Sequence, residues 1–108
     1  MAKRRDRNHL IYLITCSETG DTYIGLTVVR KKAVMKSAER RWKDHIYQAF
    51  VEGRDFPLHR LIREVGADSF HHKVLHVVRG KSEAHKVELM IIRQRRPSLN
   101  VTGNQGVA

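Results

Sequence analysis

Two short β-prone runs on either side of one turn constrain the fold more than anything else in the chain. Leu10-Ile11-Tyr12-Leu13-Ile14 is an uninterrupted apolar stretch with the length and composition of a buried strand. Glu18-Thr19-Gly20-Asp21 is a turn signal, and Thr22-Tyr23-Ile24-Gly25-Leu26 reads as a second strand. Together they predict a hairpin. Gly25 inside the second run marks a bulge or the close approach of another group to the backbone. Whether Tyr12 and Tyr23 share a face depends on the hairpin register, which the sequence leaves open.

Beyond the hairpin the apolar period lengthens. Ala38, Trp42, Ile46, Ala49 and Phe50 recur at helical spacing and predict a helix from about Val34 to Glu52. Pro57 suits the first turn of a second helix carrying Leu58, Leu61, Ile62 and Val65, with Gly66 as its stop. Phe70 to Val78 has the β-branched content of a third strand. Ser82 is expected to cap a third helix, with Glu83 in its first turn, that runs to about Arg95 before Pro97 ends it. The order ββααβα implies an α/β sandwich of the α+β kind, a small mixed or antiparallel sheet flanked by helices. A chain of 108 residues suits one domain. Residues 1–8 read as a flexible basic arm, 9–102 as the folded domain and 103–108 as a polar tail.

The formal net charge is +10, and the cations fall into three groups. These are Lys3, Arg4, Arg5 and Arg7; the stretch from Arg30 to Lys43; and Arg93, Arg95 and Arg96. Such a surplus on a small domain points to a polyanionic partner, usually nucleic acid. A solvated surface of ribosomal type is the plainer explanation, and charge alone says nothing of catalysis. No apolar run is long enough to span a membrane, and no apolar segment follows the basic N-terminus, so a cytoplasmic or DNA-associated protein is expected. The single cysteine, Cys16, excludes an internal disulfide and argues against a structural zinc site. The seven histidines, His9 and the pair His71-His72 among them, show no metal-ligand spacing.

Four groups of residues carry candidate chemistry. Glu88 lies four residues after Ala84 and three before Ile91, on or beside the apolar stripe of the third helix. A carboxylate there is costly unless it meets a cation, either a metal ion or an arginine, or reaches water from the stripe's edge. Arg41 and His45, four apart, share a helix face adjacent to the apolar stripe and suit a phosphate, with arginine as charge clamp and histidine as titratable donor or base. Taken alone, the same pair is an ordinary solvated face. Tyr12 and Tyr23 are otherwise commonplace strand tyrosines, and Asn100 a commonplace turn residue.

Taken in order, these residues resemble a known family. Leu10-Ile11-Tyr12, a ten-residue gap and Tyr23-Ile24-Gly25 resemble the paired motifs of the GIY-YIG endonucleases. Glu39-Arg40-Arg41-Trp42-Lys43-Asp44-His45 resembles the family's arginine helix, which in several members carries this histidine. Glu88-Leu89-Met90-Ile91-Ile92 followed by Pro97-Ser98-Leu99-Asn100 resembles its glutamate helix and proline-to-asparagine ending. Leu10 departs from the pattern, standing where the first glycine is common; that glycine is not a catalytic group. The resemblance runs from about His9 to Thr102 and implies a three-stranded antiparallel sheet flanked by helices.

It also implies phosphodiester hydrolysis by an activated water with one divalent cation, Mg²⁺ or Mn²⁺. Glu88 would ligate the metal, and Arg41 would neutralise the scissile phosphate. Tyr12 would be, or sit beside, the general base, and His45 would take the proton from Tyr12 or directly from water. A tyrosine of ordinary pKa, about 10, is a poor base at neutral pH unless metal-bound phosphate and basic neighbours lower it. Tyr23 would position water or phosphate, and Asn100 would hold the site together by hydrogen bonds. Lys31, Lys32, Arg40 and Lys43 are candidate contacts to the backbone of DNA, expected as duplex. One site per chain leaves a homodimer or a separate specificity partner as alternatives for double-strand cleavage. Two other classes stay open: a DNA-binding module of the same fold without catalysis, and a basic RNA-binding protein.

Overall fold

The computed structural model describes residues 7–100. Residues 1–6 of the expected basic arm and the expected tail at 103–108 lie outside the described residues. The elements are β1 (Asn8–Cys16), β2 (Thr22–Val28), α1 (Val34–Phe50), α2 (Pro57–Val65), β3 (Phe70–Arg79) and α3 (Lys81–Arg95). They follow the predicted order ββααβα. The sheet has the order β2-β1-β3 and both pairings are antiparallel, so the mixed alternative does not arise. Among the described residues no helix is long and apolar enough to cross a membrane.

β1 is central, with a strand on each edge and helices on each face. Leu10, Ile11, Tyr12, Leu13, Ile14 and Cys16 are accordingly all buried, which is why this strand reads as a continuous apolar run instead of an alternation. Its pleat divides the core. Leu10, Tyr12, Ile14 and Cys16 pack with Ala38, Ala49, Leu58 and Ile62 of α1 and α2. Ile11 and Leu13 pack with Ile24 of β2 and with Ile91 and Ile92 of α3. Full burial of one such aliphatic side chain stabilises by roughly 1.5–3 kcal/mol. Opposite β3 the β1 register shifts between Ile11 and Tyr12, a bulge that alters the aim of the strand at the tyrosine.

Three local expectations are corrected. The buried stripe of α1 is Ser37, Ala38, His45 and Ala49, and Phe50 is exposed. At 100° per residue Ala38, Trp42, His45 and Ala49 keep within about 40° of one line, whereas Phe50 is rotated about 120° away. His45 therefore belongs to the core stripe and not to a face beside it. Ser82 does not cap α3: the helix starts at Lys81 and its N-cap is Gly80 at φ 90°. The β3–α3 turn is so tight that its corner needs the left-handed region, which glycine adopts freely and serine does not. Glu83 is in the first turn, as expected. Finally, β1 begins at Asn8, and the Arg7 carbonyl accepts a hydrogen bond from Gly80 N–H at 2.9 Å.

Candidate active site

The hairpin register brings the two tyrosines together. Tyr12 pairs with Gly25 and Ile14 with Tyr23, so Tyr12 and Tyr23 are diagonal neighbours on one sheet face. Their ring centroids are 6.2 Å apart. The Tyr12 ring lies across Gly25, where a Cβ would overlap Cζ and Oη of the tyrosine. Any side chain at residue 25 would displace the phenol. That close approach is what a glycine within a strand signalled.

His45 reaches this face from α1. Tyr12 Oη and His45 Nε2 are 2.8 Å apart, and His45 Nδ1 is 3.1 Å from Nε2 of His59 on α2. The edge of Tyr23 meets the His45 ring at a centroid distance of 5.4 Å. Burial, with help from the nearby Arg41 and His59, pushes His45 down to about 3, so its imidazole is neutral at ordinary pH. Burial, followed by Arg54, Arg41 and Arg63 and opposed by Glu52, lowers His59 as well. For Tyr12, burial raises the pKa and the neighbouring Tyr23 adds to this, while Arg41 pulls the other way by charge and hydrogen bonding. Tyr23 is raised by burial and likewise held back by Arg41. The expectation that basic neighbours lower Tyr12 is thus only half met: Arg41 acts in that direction, but burial outweighs it.

Glu88 approaches from the opposite face of the sheet. It meets the tyrosines in an open cleft of about 640 Å³ at the β2 edge, lined by Tyr12, Tyr23, Gly25, Arg41, His85 and Glu88 among others. The Glu88 side chain is 17% exposed, and burial raises its pKa while His85, at 3.5 Å, lowers it. Among the described residues no lysine or arginine forms an ion pair with it.

Asn100 holds the edge strand. Its side-chain oxygen accepts from Ile24 N–H and its amide donates to Ile24 carbonyl, both at 2.7 Å. Leu99 N–H donates to Thr22 carbonyl at 2.8 Å. The 97–100 segment therefore covers the otherwise open side of β2 at the residues flanking Tyr23. Arg96, in the left-handed conformation at φ 47°, ends α3 and turns the chain onto that edge.

A second cleft, of about 860 Å³, is lined by Arg7, Arg30, Lys31, Lys32, Lys36, Arg40 and Arg79 and, among the described residues, by no carboxylate. A smaller depression lined by Thr27, Val28, Arg30, Arg40, Arg41 and Asp44 shares residues with both, and Asp44 stands 3.9 Å from Arg41. Lys31, Lys32 and Arg40 thus border the basic cleft, whereas Lys43 lies apart, exposed and paired with Glu39 at 3.8 Å. Of the predicted site residues, Tyr12, Tyr23, Arg41 and Glu88 line one cleft, His45 supports it from behind and Asn100 from the side. His59 was not foreseen. Its signal was available, since it sits next to Leu58 and three residues before Ile62 on the apolar side of α2, a placement like that of Glu88 on α3.

A small α+β domain that gathers a carboxylate, a guanidinium and a phenol–imidazole pair in one cleft has the parts of a hydrolase acting on a charged ester. The family model for the GIY-YIG catalytic domain matches residues 8–100, and the chain belongs to that family, which is made of nucleases. Comparison with curated proteins and with solved structures gives no match.

Proposed function

We propose that this chain is an endonuclease that hydrolyses DNA phosphodiester bonds with a divalent cation held by Glu88. The observation that carries this reading is the convergence of Tyr12, Tyr23, Arg41 and Glu88 on one cleft that runs into a basic one. The donor set suits Mg²⁺ or Mn²⁺. Glu88 offers a single hard carboxylate in an open cleft, and among the described residues no lysine or arginine forms an ion pair with it. Among the described residues no cluster of three or more His, Cys, Asp or Glu builds an all-protein site, so water and phosphate oxygens would complete the shell. A bound cation would supply charge that stabilises the phosphorane and the leaving 3′ oxygen.

The remaining work falls to the side chains. Arg41 neutralises the scissile phosphate. Tyr23 orients phosphate or water through its hydroxyl. Burial keeps Tyr12 in the phenol form at rest, so its proton leaves only as His45 Nε2 takes it; the freed oxygen then accepts a proton from the attacking water. Arg30, Lys31, Lys32 and Arg40 carry the flanking backbone of duplex DNA. The test is nicking of supercoiled plasmid. Cleavage is expected with Mg²⁺ or Mn²⁺ and none in excess chelator; undiminished cleavage in chelator overturns the metal role, and no cleavage under any condition overturns the nuclease reading.

A further inference from the structure

His45 is a poor final home for the Tyr12 proton. It is 2% exposed, and a positive charge on it would face Arg41. Yet its second nitrogen does not end on a backbone carbonyl or a carboxylate, the usual ways of fixing an imidazole. It ends on another imidazole, that of His59, 4% exposed and on a different helix. The outer nitrogen of His59, Nδ1, is itself buried and finds no hydrogen-bond partner among the described residues. Three groups from β1, α1 and α2 thus form one line, Tyr12 Oη, His45 and His59, closed at one end by the cleft and unsatisfied at the other.

We infer that His59 is a positioning residue for the hydrolysis: it fixes the tautomer of His45 and takes the proton that His45 passes on from Tyr12. This rests on the nuclease reading above. The polarity of the line follows from assigning the Tyr12 hydroxyl, 2.8 Å from His45 Nε2, as donor to that nitrogen. His45 then carries its hydrogen on Nδ1 and donates it to His59 Nε2. On reaction the Tyr12 proton moves to His45 Nε2 while the Nδ1 proton moves to His59 Nε2. His45 stays neutral and the imidazolium forms one residue further from the phosphate. Tyr12 oxygen accepts a proton from water, the water oxygen bonds to phosphorus, and the P–O3′ bond breaks with its electron pair on the 3′ oxygen, which solvent protonates. The stored proton returns to solvent by the reverse path through His45 and Tyr12, restoring both tautomers. The charges facing His59 are Arg41 from α1, Arg54 from the α1–α2 connection and Arg63 from α2, opposed by Glu52. As Arg41 does at His45, they disfavour a lasting positive charge, so His59 holds the proton only during the chemical step and is no more its final home than His45 is.

The test combines spectroscopy and kinetics on the full chain. ¹⁵N spectra of the histidines in the metal-free wild type should show His45 protonated at Nδ1 and bare at Nε2. His59→Gln keeps an acceptor for Nδ1–H but takes no proton; it should preserve that tautomer and the melting temperature. Its single-turnover cleavage of plasmid in Mg²⁺ should still fall about 10²-fold with unchanged DNA affinity. In mixed H₂O and D₂O the wild-type rate should respond as a transfer of more than one proton, and the variant as a transfer of one. His59→Leu should lose both the tautomer and the rate. Wild-type cleavage rates in His59→Gln, or a wild-type His45 protonated at Nε2, overturn the relay. A wild type that cuts no DNA removes the nuclease reading on which the relay depends, and the tautomer measurement tells that failure apart from a wrong assignment of the histidine line.

Discussion

The two walls of the cleft are built in opposite ways. The wall from β1, α1 and α2 is part of the core: Tyr12, His45 and His59 are nearly inaccessible and hydrogen-bonded in series. The wall from α3 is less tightly built: the Glu88 side chain is 17% exposed, and among the described residues its one ion-pair partner is the exposed His85 at 3.5 Å. Groups that move protons gain from fixed geometry and exclusion of water, whereas a carboxylate meant for a hydrated cation must keep access to solvent. Substitutions that disturb the packing of the first wall should therefore cost both stability and activity, whereas the near-isosteric His59→Gln, and substitutions on the second wall, should cost activity alone.

Gly25→Ala strikes the buried wall hardest. The added methyl overlaps the Tyr12 phenol, so the ring must move out of line with His45. We expect a loss of about 1–3 kcal/mol in stability from overpacking, and a fall of roughly 10²-fold in cleavage from the displaced phenol. Denaturant unfolding beside a plasmid assay measures both; wild-type values in each would show that the tyrosine has another place to go.

The two walls should also respond to pH with opposite signs. His45 stands at about 3 in the folded protein against an ordinary 6.5, and His59 is also lowered. Between those values the unfolded chain binds more protons, so this contribution to stability is complete above about pH 6.5 and is lost as pH falls towards 3. Glu88 is raised, so its contribution is present below the ordinary carboxylate range and is lost as pH rises through the folded value. Melting temperature followed from pH 7 down to 4 should fall in the wild type and fall less in His45→Gln. An equal slope in the two proteins would contradict the burial of a neutral His45.

The smallest effect belongs to the basic cleft. Lys31→Ala and Lys32→Ala should each weaken DNA binding modestly and reduce the slope of log Kd against log salt by about 1. Titrations at several salt concentrations read this directly, and an unchanged slope would place the DNA elsewhere.

How much of this was legible in the chain follows from which interactions are local. Helix and strand periods, Gly66 as a stop, and the order of Tyr12, Tyr23, Arg41, Glu88 and Asn100 are carried by short stretches and could be read there. The hairpin register is set by partners on two strands, so the sharing of one face by the tyrosines was hidden until Tyr12 was found opposite Gly25. The spacing of His59 on the apolar side of α2 signals its burial, but its contact with His45 depends on α2 lying against α1, a tertiary contact that no spacing encodes. Phe50 misled because its spacing fits a helix but its angle misses the stripe, and Ser82 because the turn at Gly80 starts the helix before a serine cap can form.

The central claim is that the α3 wall serves the chemistry and not the fold, and Glu88→Ala tests it most directly. Cleavage by the variant and its thermal melt should be measured together, with DNA affinity as a control. We expect cleavage to be abolished, affinity to be retained, and the melting temperature to be unchanged or slightly raised, since a partly desolvated carboxylate is removed. A variant that cuts at the wild-type rate, or whose melting temperature falls steeply because Glu88 balances a buried cation, would contradict the account.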